Sequence, residues 1–404
     1  MTTLQTRLKA VRSLTRFRAP SIGSAARVGE AHTIDELREV ARRRVPRPVL
    51  DYVDGGSEDE IGVRRARAAF ERVEFVPRVL SGAGAPDTST VLLGRPSTLP
   101  VALAPTGFTR MMHHAGECAV AAAAAATGVP YALSTLGTAS PEQVAAAAGP
   151  DADLWFQLYP WRDRKATEGL VERAAGAGFR VLVLTVDTPV AGDRRRDRRN
   201  GFQIPPSLTS RSALDIARRP RWWINLLAGE PLTFASLTTT AGAPADLADR
   251  VFDPFVSMED LAWLRRRWQG PLVVKGVLDA SQARKMVDNG ADAVIVSHHG
   301  GRQLDRVVTP LEALPAIADE VGSDAEVYID GGVRSGADVA AAVGLGARAC
   351  LIGRAYLYGL MAGGRPGVDR VLEIFGGDLE RTMALTGCHS VSDLRTGMVR
   401  LRTT

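Results

Sequence analysis

Eight short runs rich in apolar and β-branched residues alternate with Ala- and Arg-rich stretches of helical character along most of the chain. The runs are mostly apolar rather than alternating, which is typical of parallel strands covered on both faces. Eight such units within about 250 residues predict an α/β fold, a (β/α)₈ TIM barrel. An open doubly wound sheet is the alternative, but the first run ends Ala104-Pro105-Thr106-Gly107 and lacks the Gly-rich turn of that fold.

The predicted strands are Leu99–Pro105, Pro130–Thr135, Leu154–Tyr159, Arg180–Asp187, Leu272–Gly276, Ala293–Ser297, Glu326–Gly331 and Ala349–Gly353. Seven of them precede a predicted helix. These helices are Gly116–Thr127, Pro141–Ala148, Ala166–Ala177, Met258–Trp268, Ser281–Asn289, Leu311–Glu320 and Ala337–Leu345.

Two segments lie outside this rhythm. Residues 1–30 are expected to form a basic N-terminal extension of helical character, suited to an anionic membrane surface, to packing on the body or to a mobile tail, with a linker over 20–29. Residues 31–404 are expected to form one barrel domain. Within it, a long loop over about 190–257 carries Arg and Trp residues at 218–223, which suit a membrane interface, a lid or a subunit contact.

Composition excludes several classes of protein. Apolar residues make up 45% and charged residues 24%, so the chain is neither disordered nor a disulfide-stapled mini-fold. No apolar run reaches the about 20 residues of a membrane span, and the N-terminus lacks the apolar core of a secretory signal. Three scattered cysteines suit a reducing cytoplasm. The net charge of +5 comes from arginines spread over the whole chain, which argues against a nucleic-acid partner.

In a TIM barrel the functional residues follow the carboxyl ends of the strands. The sixth predicted strand is followed by His299 and Arg302, a general base beside an anion-binding guanidinium. Lys275 lies inside the apolar fifth strand, where its ammonium must meet a buried carboxylate or an anionic ligand, and we favour the ligand. Gly-rich turns with arginines follow the seventh and eighth strands, at 330–334 and 353–354, and predict a phosphate site.

Three further strand ends carry polar groups. Asp187 ends the fourth strand and could orient an imidazole, while Arg194 is either a second carboxylate ligand or part of a solvated basic run. Gln157 and Tyr159 end the third strand and face the same way, and Ser134 ends the second. No converging set of Asp, Glu and His suits a metal. Together the strand ends predict a phosphorylated aromatic cofactor and an anionic organic substrate.

The segment Ser297–Asp305 resembles the S-N-H-G-G-R-Q-L-D signature of the FMN-dependent 2-hydroxy acid oxidase and dehydrogenase family. Within that family, the sequence looks most similar to the bacterial L-lactate dehydrogenases. The resemblance runs in one order from about Thr33 to the C-terminus. It also includes Tyr52, Ala104-Pro105-Thr106, Gln157-Leu158-Tyr159, Thr185-Val186-Asp187, Lys275-Gly276, Asp330-Gly331-Gly332-Val333-Arg334 and Gly353-Arg354.

The resemblance implies FMN as the cofactor and the oxidation of a small L-2-hydroxy acid, foremost L-lactate to pyruvate. It implies that His299 is the catalytic base, supported by Asp187, and that Tyr159 contacts the substrate hydroxyl. It implies that Tyr52, Arg194 and Arg302 bind the substrate carboxylate. The residues implied to bind FMN are Pro105, Thr106, Gly107, Ser134, Gln157, Thr185, Lys275, Ser297, Asp330, Gly331, Gly332, Arg334, Gly353 and Arg354.

Three positions depart from the family pattern. His298 replaces the usual Asn, which leaves the level of activity open. Gly107 replaces an Ala found in several oxidases and favours a dehydrogenase. Leu136 replaces the Trp of glycolate oxidase and argues against glycolate as the substrate. In a dehydrogenase the electron acceptor could be a quinone or a cytochrome. In an oxidase it would be oxygen, and the substrate would be glycolate, mandelate or a longer 2-hydroxy acid. A non-catalytic flavin-binding barrel and an isomerase using reduced FMN are further alternatives. The family also implies a homo-oligomer, a tetramer. We expect the protein to be cytoplasmic or peripheral on the inner face of the cell membrane, and the basic N-terminus and the Arg- and Trp-rich loop favour the membrane surface and a quinone acceptor.

Overall fold

The computed structural model describes residues 23–82, 84–201, 210–228, 231–233, 235, 253, 255–394 and 397–402. Eight parallel strands, β4–β11, close into a barrel in which each strand pairs with its neighbours in chain order and the last pairs with the first. The predicted (β/α)₈ barrel is therefore confirmed. The strands are β1 (Val73–Phe75), β2 (Thr90–Leu92), β3 (Arg95–Ser97), β4 (Val101–Leu103), β5 (Tyr131–Ser134), β6 (Leu154–Leu158), β7 (Val181–Thr185), β8 (Leu272–Val277), β9 (Ala293–Val296), β10 (Glu326–Asp330), β11 (Ala349–Ile352) and β12 (Val399–Leu401).

Helices surround the barrel and precede it. They are α1 (Ser24–Glu30), α2 (Ile34–Arg42), α3 (Arg47–Asp54), α4 (Ile61–Glu71), α5 (Thr109–Met112), α6 (Gly116–Thr127), α7 (Pro141–Ala148), α8 (Arg164–Gly176), α9 (Arg195–Arg199), α10 (Ser210–Ala217), α11 (Pro220–Ala228), α12 (Met258–Arg267), α13 (Ala280–Asp288), α14 (Pro310–Val321), α15 (Gly336–Gly344), α16 (Arg354–Gly363) and α17 (Arg365–Thr386).

The continuous burial of the strands explains their apolar composition. β5, β6, β7, β9 and β11 are buried at every position, because one face packs inside the barrel and the other against the helices. Inside the barrel, Trp155 meets Tyr328 edge to face with ring centroids 5.6 Å apart. The barrel is thus a packed core, and polar side chains are confined to its two ends.

The amino-terminal end of the barrel is closed by the hairpin β2–β3, which we did not predict. Leu92 at the end of β2 is completely buried and packs with the residues inside the barrel. Both backbone groups of the next residue, Leu93, are hydrogen-bonded. Leu93 N donates to the Glu326 carboxylate, and Leu93 O accepts from Arg180 Nη1 at 2.7 Å. The hairpin therefore acts as a plug at the end opposite the predicted site.

Two sequence predictions need correction, and a third falls on residues that the structure does not describe. The linker predicted over 20–29 is wrong, because Ser24–Glu30 form helix α1. The helix forms there because the Val28 side chain is buried in the apolar core, against Gly363. The eighth barrel strand is followed by α16, which is buried along almost its whole length and was not predicted. The predicted basic helix of the first twenty residues lies outside the described residues.

The long loop predicted after the fourth strand contains helices α9, α10 and α11. Residues 202–209 and 236–252 of this interval lie outside the described part of the chain. Among the helices that the structure describes, none is both long and apolar enough to cross a bilayer.

Leu92→Ala is expected to lower the free energy of unfolding by about 2–5 kcal/mol, because it leaves a cavity in the plug that surrounding strands cannot collapse to fill. Urea unfolding of the variant and wild type measures the difference. Leu385→Ala removes a leucine that is 71% exposed on α17 and is the matched control. A loss no larger than that of the control would contradict the role of the plug.

Candidate active site

A cavity of about 670 Å³ opens at the carboxyl end of the barrel. Of the site residues predicted from sequence, all but Asp187 and Ser297 line it; those two lie behind His299 and Lys275 and contact them. The predicted residues that line the cavity are Tyr52, Pro105, Thr106, Gly107, Ser134, Gln157, Tyr159, Thr185, Arg194, Lys275, His299, Arg302, Asp330, Gly331, Gly332, Arg334, Gly353 and Arg354.

His299 is held by a carboxylate on the side away from the cavity. Its Nδ1 lies 2.9 Å from Asp187 Oδ1. Burial alone would raise the pKa of the Asp187 carboxyl, but His299 and Lys275 outweigh it and hold that pKa below its usual value. Asp187 is therefore an anion at neutral pH, which fixes the proton on Nδ1 and leaves Nε2 as the nitrogen that can accept a proton.

The backbone at His299 is left-handed, with φ of 56°, and Gly300 and Gly301 continue at 63° and 71°. A histidine in this region stores strain, which glycine alone would avoid. The turn reverses the chain directly after β9 and places the imidazole over the cavity. Tyr159 completes this corner, since its hydroxyl lies 3.4 Å from His299 Nε2. Burial raises the pKa of Tyr159 well above its usual value, so the phenol stays protonated and can donate.

Two arginines lie on the carbonyl end of helix α3. Arg302 Nη1 donates to Tyr52 O at 2.7 Å and Gly55 O at 3.2 Å, and its guanidinium stacks on the Tyr52 ring at 4.6 Å. Arg354 donates to the carbonyls of Val53, Gly55 and Gly300 at 2.7–2.8 Å. Burial lowers the pKa of Arg354 to about 10, which still leaves it charged at neutral pH. The helix end therefore orients both cations by neutral carbonyls and leaves their charge for a ligand.

Arg194 is a half-buried residue at the start of α9 and not part of a freely solvated run. Its Nη1 lies 4.0 Å from Asp197 Oδ2. Burial raises the pKa of Asp197, while Arg302 and Arg194 act in the opposite direction. Arg194 therefore lines the cavity together with Arg302.

Lys275 pairs with a buried carboxylate, which is one of the two partners that the sequence left open. Its Nζ lies 3.0 Å from Asp330 Oδ2 and donates to Ser297 Oγ at 2.8 Å, while the residue also lines the cavity. Burial lowers the pKa of the Lys275 ammonium, but Asp330 and Asp187 outweigh this and hold it above the usual value. A fixed positive charge therefore lies on the wall between β8 and β10.

Unpaired buried atoms in the cavity wall test whether FMN fits. Gln157 Nε2, Thr185 Oγ1 and Asp330 Oδ1 are buried and have no hydrogen-bond partner within the described residues. Such atoms are costly unless a ligand pairs them. The first two suit the polar edge of a flavin ring, and the third suits a ribityl hydroxyl. Gly331 and Gly332 have φ of 91° and 89°, which exposes their backbone to an approaching phosphate.

A family model described as FMN-dependent dehydrogenase matches residues 41–401. The chain belongs to the FMN-dependent dehydrogenase family. Its cofactor is accordingly FMN, and the donor set of the cavity agrees with that group.

Known members support the same assignment. A Mycobacterium tuberculosis protein that is provisionally named an L-lactate dehydrogenase is 49% identical over 96% of this chain and 94% of its own. An L-lactate dehydrogenase of Caulobacter vibrioides is 44% identical over 89% of this chain and 95% of its own. The crystal structure of the monotopic membrane protein (S)-mandelate dehydrogenase matches with a TM-score of 0.87 and 38% identity, over 92% of this chain and all of the other. A mandelate oxidase structure matches with a TM-score of 0.80 and 38% identity, over 92% and 98%.

Several contributing residues were missed by sequence reasoning. The carbonyls of Val53 and Gly55 orient the arginines, Asp197 lies beside Arg194, and the Gln303 amide binds the loop after β7. The carbonyls carry no sequence signal, because every residue has one. Gln303 lies inside the signature segment Ser297–Asp305, two residues after Gly301, and this position is a signal that could have identified it as a contributing residue.

His298 lies behind the turn at Gly331, outside the cavity. It is 4% exposed, and a Cβ on Gly331 would lie 2.7 Å from its Cε1. Neither ring nitrogen has a hydrogen-bond partner within the described residues. Burial lowers the pKa of His298 to about 4, although Asp330 opposes the shift. The imidazole is therefore neutral at physiological pH and supports the turn by packing.

This burial predicts a stability loss in acid. The pKa of His298 falls from the ordinary 6.5 to about 4 on folding, so the folded protein binds fewer protons and is destabilised as the pH falls from 6.5 towards 4. His298→Asn removes this loss, so its stability relative to wild type should rise by up to about 3 kcal/mol between pH 7 and pH 4. Chemical unfolding of the holoprotein across this range measures it, with His32→Asn as an exposed control. A difference that does not change with pH would contradict the assignment.

Proposed function

We propose that this protein oxidises a small L-2-hydroxy acid, foremost L-lactate, to the corresponding 2-oxo acid. One arrangement carries the proposal: His299 presents Nε2 to a cavity that also holds the guanidinium groups of Arg194 and Arg302. A base beside two fixed cations suits a substrate whose carboxylate adjoins the carbon that is oxidised. The names of the relatives, L-lactate dehydrogenases at 44% and 49% identity, support lactate as the first candidate.

The substrate carboxylate is bound by Arg302 and Arg194, which converge from the turn after β9 and the loop after β7. Planar guanidinium groups bind a carboxylate in two-pronged fashion and so fix its orientation. Tyr52 stacks on Arg302 and lines the same corner. The Tyr159 hydroxyl lies beside His299 and binds the substrate hydroxyl.

His299 removes a proton at Nε2, either from the substrate hydroxyl or from the α-carbon. The Asp187 carboxylate keeps Nδ1 protonated and stabilises the imidazolium that forms. Conversion of the alcohol to the ketone releases two electrons and two protons. FMN, when bound, supplies the acceptor for the two electrons. The Lys275 ammonium lies on the cavity wall, where it would stabilise negative charge on a bound flavin ring.

We propose a position along the cavity wall for each part of the cofactor. The two glycine turns and their arginines would hold the phosphate, and Asp330 the ribityl chain. Ser134, Gln157 and Thr185 would meet the ring edge, with the backbone of 105–107 and Lys275 around the reactive part of the ring. Ser297 would act through Lys275, because its hydroxyl accepts from Nζ and is fully buried.

The re-oxidant is proposed to be a quinone at a membrane surface. Leu214, Ile224 and Leu227 on α10 and α11 are 49–75% exposed, and Arg218 and Arg221 lie among them. Exposed apolar side chains with neighbouring arginines suit the interface of an anionic membrane. Trp222 ties α11 to the cavity, since its Nε1 donates at 2.9 Å to Met111 O, next to the cavity-lining Met112. The similar (S)-mandelate dehydrogenase is a monotopic membrane protein, which supports this placement.

Anaerobic addition of L-lactate to the holoprotein is expected to bleach the visible flavin absorbance, because the bound hydroxy acid donates two electrons. Re-oxidation in air that is slow compared with re-oxidation by a soluble quinone would favour the dehydrogenase over the oxidase. Bleaching by L-mandelate and not by L-lactate would move the substrate to the mandelate class. No bleaching by either of them or by glycolate would refute the proposed function.

His299→Asn should retain FMN but slow flavin reduction by L-lactate by about 10²–10⁴-fold, the usual scale for removing an acid–base group. Stopped-flow absorbance measures the reduction rate, and the flavin spectrum reports occupancy. His32→Asn, on the exposed N-terminal side, is the matched control. Reduction at a near-normal rate in the His299 variant would refute its role as the base.

A triple change of Leu214, Ile224 and Leu227 to Ser should weaken co-sedimentation with anionic phospholipid vesicles by more than about 10-fold, because each buried leucine contributes about 1.5–3 kcal/mol. Reduction of the flavin by L-lactate should not change. The control triple alters Val79, Leu80 and Leu385, which are 71–103% exposed elsewhere. Equal vesicle binding by both triples would contradict a membrane face on α10 and α11.

A further inference from the structure

The side chain of Gln303 uses both ends of its amide to hold one loop. Its Nε2 donates to Asp187 O at 3.1 Å and to Val190 O at 2.9 Å, and its Oε1 accepts from Gly192 N at 3.3 Å. All three partners are backbone groups of the loop that follows β7. Only an amide offers two donors and an acceptor in this pattern.

The same loop approaches the backbone of Gln303 too closely for a side chain. A Cβ on Gly192 would lie 2.2 Å from Arg302 O and 2.8 Å from Gln303 O. The loop after β7 and the turn after β9 are therefore in direct backbone contact. The amide hydrogen bonds fix the register of this contact.

These two segments carry both pairs of groups on which the proposed reaction depends. The loop after β7 supplies Asp187 and Arg194, and the turn after β9 supplies His299 and Arg302. The imidazole–carboxylate pair and the guanidinium pair each have one member on either side. Any shift of one segment against the other changes both distances together.

We propose that Gln303 is a positioning residue that fixes the loop after β7 against the turn after β9, and thereby sets both the Asp187–His299 contact and the Arg194–Arg302 spacing. This inference rests on the proposed function for its kinetic consequence. Its structural part stands on hydrogen bonds within the chain. A misplacement of reacting groups by about 1 Å can cost about 10²-fold in rate, so a residue that acts by positioning other groups can control turnover.

Two variants separate this role from simple packing. Gln303→Met keeps the size of the side chain and removes all three hydrogen bonds. Gln303→Glu keeps the acceptor towards Gly192 N but, when ionised, turns a carboxylate towards the carbonyls of Asp187 and Val190. A protonated Glu regains one donor, so only the Glu variant can recover its hydrogen bond in acid. Gln282→Met and Gln282→Glu, at an exposed position on α13, are the matched controls.

Gln303→Met is expected to reduce the flavin with L-lactate roughly 10- to 100-fold more slowly than wild type at every pH. Gln303→Glu should reduce the flavin about as slowly as Gln303→Met at pH 8. As the pH is lowered to 5.5, the rate in Gln303→Glu should rise relative to the rate in Gln303→Met. Taking the ratio of the two variants removes the pH dependence of flavin reduction that both variants have in common. A wild-type rate in Gln303→Met, or a ratio that does not change with pH, would overturn the proposal.

Hydrogen–deuterium exchange gives a readout that does not depend on turnover. The amides of residues 187–201 should exchange faster in Gln303→Met than in wild type, while the barrel strands and the Gln282 controls keep wild-type rates. Unchanged exchange in this segment would overturn the positioning role. If wild-type holoprotein is not reduced by any of the three hydroxy acids, the proposed function fails, and faster exchange over 187–201 still supports the positioning of the loop by Gln303.

Discussion

A buried ammonium dominates the electrostatics of the cavity. Lys275 lies within an apolar strand with its side chain 5% exposed, and a lone charge there would be prohibitively costly. Asp330 across the barrel and the Ser297 hydroxyl compensate that charge at 3.0 Å and 2.8 Å. Ser297 Oγ also accepts from His299 N at 3.0 Å, so the same hydroxyl that serves the ammonium begins the turn that carries the imidazole. The cofactor side and the proton-transfer side of the cavity thus share one hydrogen-bonded group.

The second constraint comes from outside the barrel. Arg302 and Arg354 both line the cavity and would repel each other if nothing intervened, and Arg302 adds to the burial that lowers the pKa of Arg354. The carbonyl end of α3 resolves this, because Tyr52 O, Val53 O and Gly55 O accept from both guanidinium groups without neutralising them. The N-terminal helices are therefore part of the site. A barrel that began at β4 would leave these arginines without orientation.

Sequence periodicity predicted the barrel well, because strands buried on both faces must be apolar and a closed parallel sheet brings every carboxyl end to one rim. That geometric fact placed residues as distant as Ser134 and Arg354 in one cavity, whereas Tyr52, on α3 outside the barrel, was placed there by the family resemblance alone. Periodicity failed where burial produces no alternation. Helix α16 is apolar all round and so resembles no amphipathic helix, and α1 is a single short helix that buries chiefly Val28. The hairpin that carries Leu92 is too short to register as a pair of strands.

What sequence could not supply is the set of contacts between loops. The side-chain type predicted that His299 would be a base, but its orientation depends on a left-handed turn and on the carboxylate of Asp187 behind it. Those two features lie on different loops, one after β9 and the other after β7. Their relative position is determined by backbone contact at Gly192 and by the amide of Gln303, which no periodic pattern encodes. The barrel thus brings the functional groups to one rim, and polar contacts between loops determine the ångström-scale distances on which proton transfer depends.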